Sequence, residues 1–176
     1  MLKISDLLKN IVAGQSGIPT RLIFAQLDNV YMRLKSGIKI LKAELINGGI
    51  QVYLIVPSQS DNKKYYDVDF WFDTNRKISN GTKFKVFSNS PNFGYSYAYL
   101  FHKQKSLLFP EKYPRIMLSQ PPKVRNPYKV VGFDKHVFSG LKYLSKENLL
   151  AMVQMSKNKP EVDITDFEDK MKEVKK

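Results

Sequence analysis

The chain has 176 residues and a formal net charge of +13, a length that fits one domain with a short appendage and excludes two complete catalytic domains. A hydrophobic share of 43%, with 12% aromatic residues, is enough to build a core and excludes disorder throughout. The chain contains no cysteine, which excludes a disulfide framework, a thiolate zinc site, an iron–sulfur cluster and a cysteine nucleophile.

The sequence contains no apolar run approaching the roughly 20 residues of a membrane span. Residues 1–10 lack the basic start and long apolar centre of a secretory signal. We therefore expect a cytoplasmic protein without a membrane partner.

A short amphipathic helix is predicted near the N-terminus, beginning at about Ser5 and ending at Gly14 and Gly17. The segment Arg21–Leu34 follows, and its apolar spacing fits a helix or a strand equally well. The sequence leaves both alternatives open for this segment.

Four short runs rich in β-branched and aromatic residues follow, at Ile38–Leu41, Ile50–Val56, Tyr65–Asp73 and Thr82–Phe87. Turn signals at residues 47–49 (Asn-Gly-Gly) and 80–81 (Asn-Gly) separate the first pair and the last pair. The pattern predicts an α+β fold built on an antiparallel β-meander of about four to six strands, with a short N-terminal helix and two to three C-terminal helices.

The segment 88–101, SNSPNFGYSYAYLF, is the most aromatic part of the chain. As a strand it would place five rings on one face, those of Phe93, Tyr95, Tyr97, Tyr99 and Phe101. As a helix it would use Ser90 as N-cap and Pro91 in the first turn. We favour the strand, and we interpret its aromatic face as part of a protein core or a subunit interface, with stacking on the bases of a single-stranded nucleic acid as the alternative.

A basic arm is predicted over residues 103–129, where five prolines are expected to keep the backbone extended. Against one acid, Glu111, it carries seven bases: Lys103, Lys105, Lys112, Arg115, Lys123, Arg125 and Lys129. Such an excess is typical of contact with phosphates or with an acidic protein surface. Arginine is scarce in the chain, which argues against sequence-specific reading of bases.

The C-terminal part is predicted to be helical, with segments at Asp134–Leu144 and Lys146–Met155. Residues 160–176 reverse the sign of the charge, with six acids against four lysines, and are predicted to form a charged helix or tail. We therefore expect one α+β domain over residues 1–159, followed by this tail.

An acidic cluster on the third predicted strand, Asp67, Asp69 and Asp73, is the best candidate for a metal-dependent nuclease site. Lys83 precedes Lys85 by two residues, where such a site would have an acid. We therefore interpret the carboxylates as a solvent-exposed strand face.

The two histidines, His102 and His136, are each interpreted as partly exposed side chains. Asp134 lies near His136, but no Gly-x-Ser-x-Gly turn accompanies the pair. The sequence therefore predicts no catalytic residue, no metal site and no cofactor.

The strings SNSPNFGYSYAYLF (88–101) and RNPYKVVGFDKHVFSGLKYL (125–144) resemble the central block of small uncharacterised proteins of tailed bacteriophages, some of them virion components. The resemblance covers about a third of the chain and carries no catalytic motif. It implies a small binding or assembly protein that acts beside DNA or other virion subunits, in the virion or the host cytoplasm.

The leading hypothesis is a non-enzymatic structural or assembly protein that docks on partner subunits through its aromatic and proline-rich basic segments. A sequence-independent nucleic-acid-binding accessory protein is the alternative, and a metal-dependent nuclease is the third reading.

Overall fold

The computed structural model describes residues 1–7, 20–61, 63–75, 78–79, 81–122, 126, 132 and 134–146, with the backbone alone at 20–24 and 145–146. Parts of several predictions fall outside these residues: the end of the N-terminal helix at Gly14 and Gly17, the turn at Asn80, three bases of the basic arm, the helix beyond Lys146, and the charged tail.

A four-stranded antiparallel sheet in the order β1-β2-β3-β4 forms the centre of the described chain. Its strands are β1 Lys39–Ile46, β2 Gly49–Pro57, β3 Tyr65–Phe72 and β4 Phe84–Ser88. The predicted α+β fold with an antiparallel meander is thus confirmed.

The hairpin between β1 and β2 turns on Asn47 and Gly48, whose φ angles are 51° and 75°. Two consecutive left-handed residues match the right-handed twist of the flanking strands, and asparagine and glycine adopt that conformation most readily. The turn predicted at residues 47–49 is confirmed.

The described helices are α1 Thr20–Leu34, α2 Pro91–Ser96, α3 Ala98–Lys103, α4 Arg115–Ser119 and α5 Lys135–Lys146, with short 3₁₀ turns at Lys35–Gly37 and Pro110–Lys112. Residues 4–7 are also helical, at the position of the predicted N-terminal helix. The segment that fitted helix or strand equally well is α1, which buries Tyr31 and Leu34.

The core lies on one face of the sheet, called here the core face. Its central side chains are nearly inaccessible to solvent: Ile50, Val52, Leu54, Val56, Val68, Phe70, Phe72, Phe84 and Val86. Helix α5 packs on this face at Gly140, where a Cβ atom would lie 3.2 Å from the Phe70 ring. Helix α1 packs on α5, and Asp28 pairs there with Lys142.

The opposite face, called here the second face, carries a mixture of aromatic and charged side chains. Alternation along the paired strands places the following residues on it: Gln51, Tyr53, Ile55, Asp67, Asp69, Trp71, Lys85 and Phe87.

The two edges of the sheet differ. Along β4, the Phe84 N–H donates to the Leu2 carbonyl at 3.0 Å and the Val86 N–H donates to the Ser106 carbonyl at 2.9 Å. Along β1, no further strand pairs with the outer edge among the described residues. The chain therefore covers its β4 edge and leaves its β1 edge open within the described part.

Among the residues that the model describes, no helix combines the length and the apolar character needed to cross a membrane.

Candidate functional site

The aromatic segment is helical, so the strand favoured from the sequence is wrong. Ser90 is the N-cap of α2, its hydroxyl accepting the Phe93 N–H at 3.2 Å, and Pro91 lies in the first turn. The first backbone N–H groups of a helix have no partner within the helix. Proline has no N–H to leave unpaired at such a position, and the serine hydroxyl accepts one of the N–H groups that remain. The segment thus follows its helix-start signals and not the period-2 pattern of rings.

The five rings consequently do not share one face. Phe93 and Phe101 are fully buried, with ring centroids 5.4 Å apart. Tyr97 and Tyr99 are half-buried, and burial together with the charge of Asp134 raises the pKa of Tyr97 to about 12. Only Tyr95, 55% exposed, presents most of its ring to solvent. A continuous stacking platform is therefore absent from this segment.

The basic arm is not extended over its described length, so the extended backbone expected from its prolines is wrong there. Pro110–Lys112 is a 3₁₀ turn and Arg115–Ser119 is helical, each opening with a proline at or beside its first residue. Proline is well suited to a helix start, so these prolines initiate turns instead of keeping the chain extended. Three predicted contact residues lie outside the described residues: Lys123, Arg125 and Lys129.

Lys112 folds back against the domain. Its ammonium lies 4.5 Å from the ring centroid of Phe109 and 4.8 Å from that of Phe87. Both distances are within cation–π range. Lys103, Lys105 and Arg115 are exposed, so the described bases are distributed over a folded surface and not along an arm.

Helices α2 and α4 meet at Gly94 and Met117, and each carries an exposed residue next to that contact. A Cβ atom on Gly94 would lie 3.4 Å from the Met117 sulfur, so the two helices are in close contact there. The neighbours of these residues, Tyr95 and Ile116, are 55% and 67% exposed. We call Tyr95, Arg115 and Ile116 the α2–α4 patch.

Ile116 was missed in the sequence because the segment was expected to be extended. In a helix, adjacent apolar residues such as Ile116 and Met117 point in directions about 100° apart. Recognition of Pro114 as a helix start would have placed one of the pair on the outside.

The carboxyl of Asp69 is buried on the second face, which corrects its interpretation as solvent-exposed. Asp69 is 6% exposed, whereas Asp67, two residues earlier on the same face, is exposed. Burial and the charge of Asp67 raise the pKa of Asp69 to about 7, while Lys112 and a hydrogen bond with the Leu54 backbone oppose the rise. The second face therefore holds a carboxyl that titrates near neutral pH.

The Asp134–His136 pair is also buried, at 1% and 3% exposure, so the expectation of a partly exposed His136 is wrong. Asp134 begins α5: its Oδ1 accepts the His136 N–H at 2.9 Å, and Asn92 donates to Oδ2 at 2.7 Å. Burial alone would raise the pKa of Asp134, but the hydrogen bonds from His136 and Asn92 outweigh it and lower the pKa. The pair joins α5 to α2 as a helix cap.

Within the described ranges, no three histidine, aspartate or glutamate side chains lie close enough together to hold a metal ion. The most exposed large apolar side chain in those ranges is that of Ile116, and Asp69 is a buried carboxyl whose pKa is raised.

Comparison with protein-family models, with curated protein sequences and with solved structures finds no match to this chain, so the conclusions about function below depend on its own residues and their chemistry.

Proposed function

We propose that the protein is a non-enzymatic structural or assembly protein that docks on other protein subunits through the α2–α4 patch. Ile116 carries the proposal: with 67% of its surface exposed, it is the most exposed large apolar side chain among the described residues. A branched aliphatic side chain in contact with water contributes no hydrophobic stabilisation until a partner buries it.

The chemistry of the patch indicates the kind of partner. Tyr95 offers a large amphipathic ring, and Arg115, exposed beside Ile116, offers a planar cation. Tyrosine and arginine are enriched at the energetic centres of protein interfaces. The matching surface is an apolar pocket with an acidic rim on another protein.

The resemblance of residues 88–101 and 125–144 to tailed-phage proteins supports a setting for this activity. We place the protein in the virion of a tailed phage, or in virion assembly in the host cytoplasm, with other subunits as partners. The first of these two strings contains Tyr95 and so contributes directly to the patch.

Site-specific photo-crosslinking in the natural host tests the proposal. A photoreactive amino acid at position 116 should yield one protein adduct of defined mass, resistant to nuclease. The same group at exposed Lys63, in the loop before β3, provides the matched control. Arg115→Glu should reduce the adduct about tenfold, since it reverses the charge facing an acidic rim.

Two outcomes would contradict this function. One is an adduct at position 116 no stronger than at position 63. The other is an adduct that nuclease removes, which would indicate a nucleic acid at the patch.

The charge of +13 favours a second candidate, a nucleic-acid-binding accessory protein. Contacts with Z phosphates of duplex DNA make the logarithm of the affinity fall against the logarithm of salt concentration with a slope of about −0.9Z. The folded surface that carries Lys103, Lys105 and Arg115 could place about three bases on phosphates, which corresponds to a slope near −3. A slope of this size, reduced by about 2 in Lys103→Gln/Lys105→Gln, would favour this candidate over protein docking.

A further inference from the structure

Strand β1 combines an edge that no other described strand pairs with and a self-complementary sequence. From Ile40 to Ile46 the residues are Ile-Leu-Lys-Ala-Glu-Leu-Ile, so apolar residues stand at equal distances on both sides of Ala43 and opposite charges flank it. Such a sequence matches itself when two strands run antiparallel.

The same strand exposes apolar surface that the fold leaves uncovered. Leu41, Leu45 and Ile46 are 49%, 44% and 37% exposed. They account for three of the eight large apolar side chains that the described residues expose. Proteins usually protect a free edge with charge, short length or cover, yet β1 is eight residues long.

Two of the three charges on β1, Lys42 and Glu44, neutralise one another, which weakens the protection that they give to the edge. The Lys42 ammonium lies 2.7 Å from the Glu44 carboxylate, and both side chains are on the second face. Both charges lie on the edge strand itself, where an antiparallel neighbour can offer each of them an opposite charge.

We propose that β1 pairs antiparallel with β1 of a second copy of this chain, about a two-fold axis through Ala43, forming one continuous eight-stranded sheet. In this arrangement Lys42 of each copy faces the partner's Glu44. The proposal goes beyond docking through the α2–α4 patch, because β1 contributes no residue to that patch.

The register follows from two physical requirements. Residues opposite each other in an antiparallel pair must lie on the same face, so the axis passes through a residue and not between two residues. An axis at Lys42 or at Glu44 would set like charges opposite each other, which destabilises a strand pair. An axis at Leu45 or Ile46 would carry Lys42 past the end of the partner strand.

Of the axes in the regular part of β1, Lys42–Ile46, only the one at Ala43 avoids like-charge pairs and also gives Lys42 and Glu44 partners. It also brings Leu45 of each copy beside the partner's Leu41, at the β-bulge between Ile40 and Lys42. The leucines that are exposed in one copy would thereby cover each other in the pair.

Sedimentation velocity of the full chain at about 1–100 μM measures the association. The buffer contains about 0.15 M salt, which screens the repulsion between two copies of charge +13. The expected species is a dimer. Lys42→Glu and Glu44→Lys should each weaken dimerisation about tenfold or more, because every cross-strand pair then becomes a like-charge pair.

Mixing the two variants separates pairing between chains from the ion pair within one chain. Each variant alone has lost its own Lys42–Glu44 bridge, but in a mixture the two acids of one chain face the two lysines of the other. The mixture should therefore form a heterodimer about as strong as the wild-type dimer, and the double swap Lys42→Glu/Glu44→Lys should form a homodimer. Circular dichroism of each variant confirms that it is folded.

A wild-type chain that stays monomeric throughout this range would overturn the inference. So would single variants that dimerise like the wild type, or a mixture that remains monomeric. None of these outcomes bears on crosslinking at position 116, which tests the other surface.

Discussion

The indole of Trp71 lies directly against Gly49, on the neighbouring strand. A Cβ atom at Gly49 would be 2.5 Å from the Trp71 Cε2 atom and 2.5 Å from the Phe72 carbonyl oxygen. The absence of a side chain lets the ring reach across β2, where its Nε1 donates to the Ile46 carbonyl at 3.1 Å. The ring thus ties β3 to the end of β1, the strand that we propose as a dimer edge.

Gly49→Ala should destabilise the fold by about 1–3 kcal/mol, because the added methyl group overlaps both the ring and a backbone oxygen that cannot move freely. Urea unfolding followed by fluorescence of Trp71, the single tryptophan, measures the change. Gly81→Ala is the matched control: its nearest neighbour would be 3.7 Å away, and a loss below about 0.5 kcal/mol is expected there. Equal losses at the two glycines would contradict the close Trp71–Gly49 contact.

Asp69→Asn should stabilise the protein at high pH and not at low pH. Burial raises the pKa of Asp69 from its ordinary value of 3.8 to about 7, so the folded state binds the proton more tightly than the unfolded state does. Wild-type stability therefore declines as pH rises from about 4 to 7, whereas asparagine does not ionise.

The free energy of unfolding of Asp69→Asn should exceed that of the wild type by about 2 kcal/mol at pH 8 and by almost nothing at pH 4. The upper limit at pH 8 is about 4 kcal/mol, which corresponds to a rise of about three in the pKa. Urea unfolding at both pH values measures the difference, with Glu111→Gln at an exposed carboxylate as control. A carboxyl carbon-13 titration of Asp69 with a midpoint below pH 5 would show that burial does not raise its pKa.

Asp134→Ala should cost about 2–4 kcal/mol at neutral pH, because it removes the cap of α5 and leaves the Asn92 amide without its partner. Because the pKa of Asp134 is lowered, its ionisation stabilises the fold, whereas that of Asp69 destabilises it. The contribution of Asp134 is complete above the unfolded pKa near 4 and is lost as pH falls through the folded pKa. The gap between wild type and variant should therefore narrow below about pH 4.

Thermal unfolding across pH 2–7 measures this gap. Asp61→Ala, at an exposed carboxylate that accepts the Lys63 N–H, should cost less than about 1 kcal/mol at every pH. A pH-independent difference between wild type and Asp134→Ala would contradict a charged cap.

Phe93→Ala and Tyr95→Ala distinguish the helix from the strand expected in the sequence. Phe93 is fully buried and Tyr95 is 55% exposed, so the first change should cost about 3–5 kcal/mol and the second less than about 1 kcal/mol. In a strand both rings would lie on one face and the losses would be similar. Chemical denaturation of the two variants decides between these outcomes.

The sequence alone determined the elements whose signals are local. The Asn47–Gly48 turn requires left-handed backbone, which few residue types adopt, and β-branched and aromatic runs flank it. The α+β class and the antiparallel meander followed from these signals, because consecutive strands joined by tight turns can only pair antiparallel.

The aromatic segment shows where local signals were in conflict. Its residues satisfy both a period-2 face and a Ser90–Pro91 helix start, so the local pattern alone does not choose between strand and helix. Burial of Phe93 and Phe101 in the core decides for the helix, and that gain depends on residues far away in the chain.

Burial of charge was likewise decided only by the tertiary structure. The strand pattern places Asp67 and Asp69 on the same face and does not show which is buried. In the structure Asp67 is exposed and Asp69 is buried, close enough to Lys112 for its charge to act on the carboxyl. Within the described part of the chain, the free edge of β1 has the same origin, because residues 2–4 and 106–108 cover β4 instead. Turn residues specify local backbone geometry. The solvent exposure of a residue depends instead on every segment that packs over it, so this exposure is decided only once the whole domain has folded.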